Sequence, residues 1–182
     1  MKEIMIDNQI ILPGEEKLIN LNIANLPSRT KIDIPIFVSR SRKEGPTLLI
    51  MAGMHGDEVN SIDIVREILD KKINRPIIGS TITIPILNVY GFLNFSRYLA
   101  NGKDINRNFP GSKTGSLASR VAHLFMKEIL PYIDVGVDFH TGGESRTNFP
   151  QIRCDFNDLT SLELAEAFSP PFIIFRYFMK LW

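Results

Sequence analysis

One cysteine, one tryptophan and three histidines are all that 182 residues contain of these types. With a single thiol, Cys154, no internal disulfide forms, so nothing marks an oxidising compartment. An excess of one charge is missing too. Lys and Arg total 21 against 20 Asp and Glu, a formal balance of +1, and no run of like charge is long enough to follow a phosphate backbone or an anionic bilayer. Neither nucleic acid nor membrane is therefore an expected partner. No uninterrupted apolar run approaches the roughly 18 residues a membrane-crossing helix needs. The opening "MKEIMIDNQIILPGEEK" breaks its apolar stretch at Asp7, Asn8 and Gln9 and again at Pro13-Gly14, unlike a signal peptide. These absences predict a cytoplasmic location.

What is present suits one core of ordinary size. Hydrophobic residues make up 44% of the chain, and neither repeats nor low-complexity linkers divide it, so residues 1–182 are expected to form a single domain. Alternation in "KIDIPIFVSR" predicts a half-buried strand ending near Ser39, placed at a sheet edge so that Pro35 costs no ladder hydrogen bond. "TLLIMAG" is continuously apolar and reads as a strand buried on both faces, with "STITIPILNV" and "IDVGVDF" as further strands. Residues 57–71 set Val59, Ile62, Val65, Ile68 and Leu69 on one helical face. Residues 116–130 predict a second helix, capped by Ser116 and stopped before Pro131. "SLELAEAF" and "PFIIF" add a short helix and a strand. Alternating strands and helices predict an α/β fold, a mainly parallel sheet with helices on both faces and functional loops at the carboxyl ends of its strands.

Two histidines stand at such ends. His55 follows "TLLIMAG" with Glu58 about one helical turn further on, and His140 follows "VGVDF" just before two glycines. In a parallel sheet these ends face the same side, and two imidazoles with one carboxylate make the three-ligand set of a catalytic zinc site. The competing reading is a pair of buried, hydrogen-bonded histidines beside a helix-capping glutamate. The stretch "GKDINRNFPG" fits neither helix nor strand and packs Asp104, Asn106, Arg107 and Asn108 together. An Arg flanked by amides suits bidentate capture of a carboxylate; alternatively, the Asn side chains only satisfy loop backbone.

Taken in order, "GMHGDE", "DINRNFPG" and "VDFHTGG" resemble the succinylglutamate desuccinylase/aspartoacylase family, which is related to the zinc carboxypeptidases. The resemblance runs from about Ile32 to about Arg153. It implies a three-layer, carboxypeptidase-like core and one zinc per chain, held by His55, Glu58 and His140. It also implies that Asp104 orients a ligating histidine, that Asn106 and Arg107 hold a substrate carboxylate, and that Arg97, in "FSRYLANGKDINR", polarises the scissile carbonyl. The implied activity is zinc-dependent hydrolysis of an amide in an N-acyl amino acid or similar small carboxylate. A zinc carboxypeptidase and a metal-binding chain with impaired catalysis are the alternatives.

One departure sets the last expectations. The resembled family carries a proton-shuttling glutamate beyond the "DFHTGG" motif, and here Trp182 is reached before any match, so the carboxyl-terminal part is expected to be missing. Glu144, Glu163 and Glu166 are the carboxylates at hand, each read as a surface charge. His123 reads as a partly exposed helix residue, Cys154 as a small buried side chain, and Phe168, Phe172, Phe175 and Phe178 as core or interface. The aromatic segment "FSPPFIIFRYFMKLW" is expected to drive self-association.

Overall fold

The computed structural model describes residues 3–144 and 146–176. The chain divides into two compact units, Met1–Ser145 and Arg146–Trp182.

The first unit begins with a hairpin of β1 (Ile4–Ile6) and β2 (Gln9–Ile11), turned by Asp7 and Asn8. Both turn residues have positive φ, the backbone of the tight turns that match strand twist. Tyr132 Oη donates to Met5 O at 2.7 Å and Asp7 N–H to Glu128 Oε2 at 3.0 Å, which tie the hairpin down. There follow β3 (Glu16–Asn25), β4 (Lys31–Arg40), β5 (Thr47–Ala52), α1 (Val59–Asp70), β6 (Ser80–Ile84), α2 (Val89–Leu93), α3 (Leu117–Glu128) and β7 (Val135–Phe139). Five strands form one sheet in the order β3-β4-β6-β5-β7.

Within this sheet β6, β5 and β7 pair parallel, whereas β3, β4 and β6 pair antiparallel. The expected parallel character thus belongs to the half of a mixed α/β sheet that carries the candidate site. β4 is not an edge strand, contrary to expectation, because β3 flanks its whole length. Pro35 is nonetheless tolerated for the anticipated reason. The short β6 pairs only with Phe37 to Arg40 of β4, so the half containing Pro35 is open on that side. β7 in turn is half-buried at the end of the described sheet rather than enclosed like β5.

Successive side chains of β5 point to opposite faces and feed two cores. Leu49 and Met51 join Ile82, Ile84, Val121 and Phe125 under α3, while Ile50 and Ala52 pack with Val65 of α1 on the other face. Helices therefore cover both faces, as expected. Ser116 caps α3 by accepting Ser119 N–H at 3.3 Å, and His123 is partly exposed on that helix. Among the described residues no helix is long and apolar enough to cross a membrane.

The second unit is a small crossover: β8 (Ile152–Cys154), α4 (Leu159–Phe168) and β9 (Ile173–Phe175), with the two strands parallel. Cys154 is buried, and burial raises its thiol pKa. Glu163 and Glu166 are exposed on α4. Phe168, Phe172 and Phe175 are 60%, 56% and 50% exposed, which excludes the core reading for these three, while Phe178 lies outside the described residues.

Candidate metal centre

Adjacent parallel strands bring the site together. Ala52 of β5 pairs with Phe139 of β7, so the loops leaving these strands start side by side, with His55 on one and His140 on the other. Gly56 lets the first loop pass against α2: a Cβ there would stand 2.0 Å from the Gly91 carbonyl carbon, so no other residue fits without moving backbone. Glu58 is at the N-cap of α1 but makes no side-chain capping bond. Its carboxylate turns to the histidines instead, which removes the helix-cap alternative.

Glu58 Oε1 lies 2.8 Å from His55 Nδ1, and Oε2 lies 2.9 Å from His140 Nδ1 and accepts Thr141 N–H at 3.0 Å. The two rings tilt at 51° with centroids 5.1 Å apart. One ligand atom from each of the three residues falls within 4.8 Å of the others. Burial alone would favour the neutral acid at Glu58, but the hydrogen bonds from His140 and His55 outweigh it and hold the carboxyl at about 2. Burial likewise opposes charge on His140, yet Asp138 and Glu58 together push it up to about 10. Both Nδ1 groups therefore donate to a charged Glu58; with those protons given up, the same three side chains present two imidazole nitrogens and a carboxylate at one point, the donor set that suits zinc.

Behind each imidazole stands a further carboxylate. Asp138 Oδ2 is 2.7 Å from His140 Nε2, and Asp104 Oδ1 is 3.4 Å from His55 Nε2, a buried nitrogen with no hydrogen-bond partner of good geometry among the described residues. Such outer carboxylates orient metal-binding histidines and set their tautomer. The residues present therefore fit a metal ion held through both Nδ1 atoms.

Asp104 also organises the loop predicted to bind substrate. Its Oδ1 accepts Asn106 N–H at 2.9 Å, and its Oδ2 receives Arg97 Nε at 3.1 Å and Nη2 at 2.8 Å. Arg97 Nη1 comes within 3.9 Å of Glu58 Oε1. Asn88, fully buried, holds that region by accepting Gly91 N–H at 2.8 Å and donating to Arg97 O at 3.2 Å. Asn106 and Arg107 sit on a single 3-10 turn, Ile105–Arg107, with both side chains turned outward and that of Arg107 85% exposed.

The structure thus gathers His55, Glu58, His140, Asp104 and Arg97 within contact of one another and sets Asn106 and Arg107 beside them on the exposed turn. Glu144, four residues past His140, is exposed. Sequence reasoning missed Asp138, Asn88 and Asp57. The signal for Asp138 was in "VDFH", where a carboxylate stands two residues before the histidine that follows the strand; Asn88 is marked only by following a buried strand.

A mixed α/β sheet with a His-Glu-His cluster at the carboxyl ends of its parallel strands defines the class. Residues 44–177 match the succinylglutamate desuccinylase/aspartoacylase catalytic domain, and the chain belongs to that family. It is 31% identical over 150 residues to the N-alpha-acetyl-L-2,4-diaminobutyric acid deacetylase of Halomonas elongata, covering 79% of this chain and 44% of the relative. An aspartoacylase family protein of Mesorhizobium loti superposes with a TM-score of 0.78 at 26% identity, covering 90% of this chain and 54% of its own. A succinylglutamate desuccinylase/aspartoacylase of Rhodobacter sphaeroides gives 0.76 at 28% identity, covering 87% and 51%. The chain spans about half the length of these relatives.

Proposed function

We propose that this chain carries the metal-binding half of the active site of a zinc-dependent hydrolase that cleaves the amide of an N-acyl amino acid or a similar small carboxylate. The observation that carries this reading is the convergence of His55 Nδ1 and His140 Nδ1 on the two oxygens of Glu58, with a carboxylate behind each ring. His55, Glu58 and His140 hold one zinc per chain. When bound, zinc supplies Lewis acidity, polarising an amide carbonyl and acidifying water at neutral pH.

The chain's own residues do the rest. Asp138 and Asp104 face the Nε2 atoms and would keep the ring protons there once the Nδ1 protons now shared with Glu58 are given up to a metal. Arg97, tethered by Asp104 beside Glu58, donates to the carbonyl oxygen as negative charge builds there. Asn106 and Arg107 hold the substrate carboxylate, and the planar guanidinium gives a two-point grip that an ammonium lacks. The family match spans parts of both compact units, which supports reading them as one catalytic domain.

The deacetylase relative favours an N-acyl amino acid over a peptide as substrate. Incubation of the zinc-loaded protein with N-acetylated amino acids and with carboxyl-terminally unblocked peptides tests this. Release of acetate from the former alone supports the reading. Cleavage of peptides alone would make the protein a carboxypeptidase, and zinc uptake without turnover of either would leave a metal-binding chain. Self-association through the exposed Phe168, Phe172 and Phe175 is also proposed; a monomer in light scattering at all concentrations would refute it.

A further inference from the structure

Asp57 lies between Gly56 and Glu58, in the loop that supplies two of the three candidate ligands, yet its side chain turns away from them. Its Oδ2 accepts Glu144 N–H at 3.2 Å. Its Oδ1 is buried and has no hydrogen-bond partner among the described residues. The carboxylate is pressed against Gly143 so closely that a Cβ on that glycine would stand 2.4 Å from Oδ2 and 3.0 Å from Cγ. Glu144 itself has a φ of +53°, a left-handed conformation that residues with side chains seldom adopt.

These contacts share one effect. Among the described residues β7 pairs in its sheet with β5 alone, so the described sheet fixes the loop after His140 from one side. Two consecutive carboxylates from the other loop make up the difference. Glu58 takes the N–H of Thr141 and Asp57 takes the N–H of Glu144, bracketing the turn that follows His140. A side chain at position 143 would have to displace the Asp57 carboxylate, which occupies its space. Asp57 is held in this position by the Glu144 N–H and by its close packing on Gly143.

We infer that Asp57 is a positioning residue that locks the loop carrying His140 onto the loop carrying His55 and Glu58, holding the three donor groups as one preorganised set. The inference rests on the metal reading of the site for its consequence in zinc affinity. Its structural half, the clamp on residues 141–144, stands without any metal.

The experiment uses the full chain with Asp57→Ala, Asp57→Asn, Gly143→Ala and the double variant Asp57→Ala/Gly143→Ala. Amide hydrogen exchange of residues 141 and 144 is read in metal-free protein, and zinc affinity by competition with a chromophoric chelator. Asp57→Ala should speed exchange at both amides and weaken zinc about 10- to 100-fold, the range for residues that support metal ligands. Asp57→Asn retains an acceptor oxygen and should restore most of both. Gly143→Ala displaces the carboxylate and should resemble Asp57→Ala, while the double variant should be no worse than either, since the clash disappears with the side chain. Unchanged exchange at residues 141 and 144 in Asp57→Ala and in Gly143→Ala overturns the clamp. Faster exchange with zinc affinity equal to the parent overturns its role in holding the donor set. A parent protein that binds no zinc defeats the metal reading, and with it the consequence for affinity, while the exchange data still decide the clamp.

Discussion

Asp138 Oδ2, near the end of β7, meets Nε2 of His140, the first residue after that strand, at 2.7 Å. Asp104 reaches toward His55 Nε2 in the same sense from a different loop, at 3.4 Å. Each imidazole is thus backed by an anion on the nitrogen away from Glu58, and both Nδ1 atoms are held converging on the Glu58 carboxylate. Removing the closer anion should loosen one ligand without touching the others. Asp138→Ala is expected to weaken zinc binding about 10- to 100-fold while His55 and Glu58 still bind. Chelator competition on the purified variant measures this, and parent-like affinity would mean that Asp138 has no part in orienting His140.

Among the described residues the Arg107 guanidinium pairs only distantly, at 3.9 Å from Asp104 Oδ2, and its side chain is 85% exposed. A structural role for so exposed a guanidinium is small, so its replacement is a clean probe of binding. Arg107→Lys should weaken a carboxylate ligand several-fold or more with zinc content intact, because the paired hydrogen bonds of the fork are lost. Calorimetric titration with an N-acyl amino acid decides it; equal binding by both proteins would remove Arg107 from the substrate site.

The amino-terminal hairpin offers a prediction in acid. Burial works against charge on Glu128, but Lys127 and the Asp7 backbone N–H prevail and lower its pKa below the usual 4.5. A carboxyl whose folded pKa is depressed adds stability above its ordinary value and loses it as pH falls through the folded one. Glu128→Gln should therefore be about 1 kcal/mol or less below the parent near pH 7, given that Lys127 is largely exposed. The gap should shrink in acid, once the pH has fallen below that lowered value. Urea denaturation near pH 7 and in acid checks this, and a gap that does not change with pH would contradict it.

How much was legible follows from how local each signal was. β5, α1, α3 and the His55, Glu58 and His140 set could be read because a continuous apolar run, a helical face and a strand-end motif are short-range patterns. β3 is equally readable over part of its length: buried Ile19, Leu21 and Ile23 alternate with exposed Asn20 and Asn22 in a ten-residue strand. The position of β4 inside the sheet was not legible, because it depends on which strand pairs with its far side. The same holds for Asp57. Its partner, Glu144 N–H, is 87 residues away, and only the pairing of β5 with β7 brings the two loops together.

The central claim is a single metal held by His55, Glu58 and His140, and metal content tests it most directly. Elemental analysis of the purified protein after dialysis against zinc should give close to one zinc per chain, falling sharply in both His55→Ala and His140→Ala while circular dichroism shows the fold retained. Zinc content unchanged in both folded variants would contradict the account.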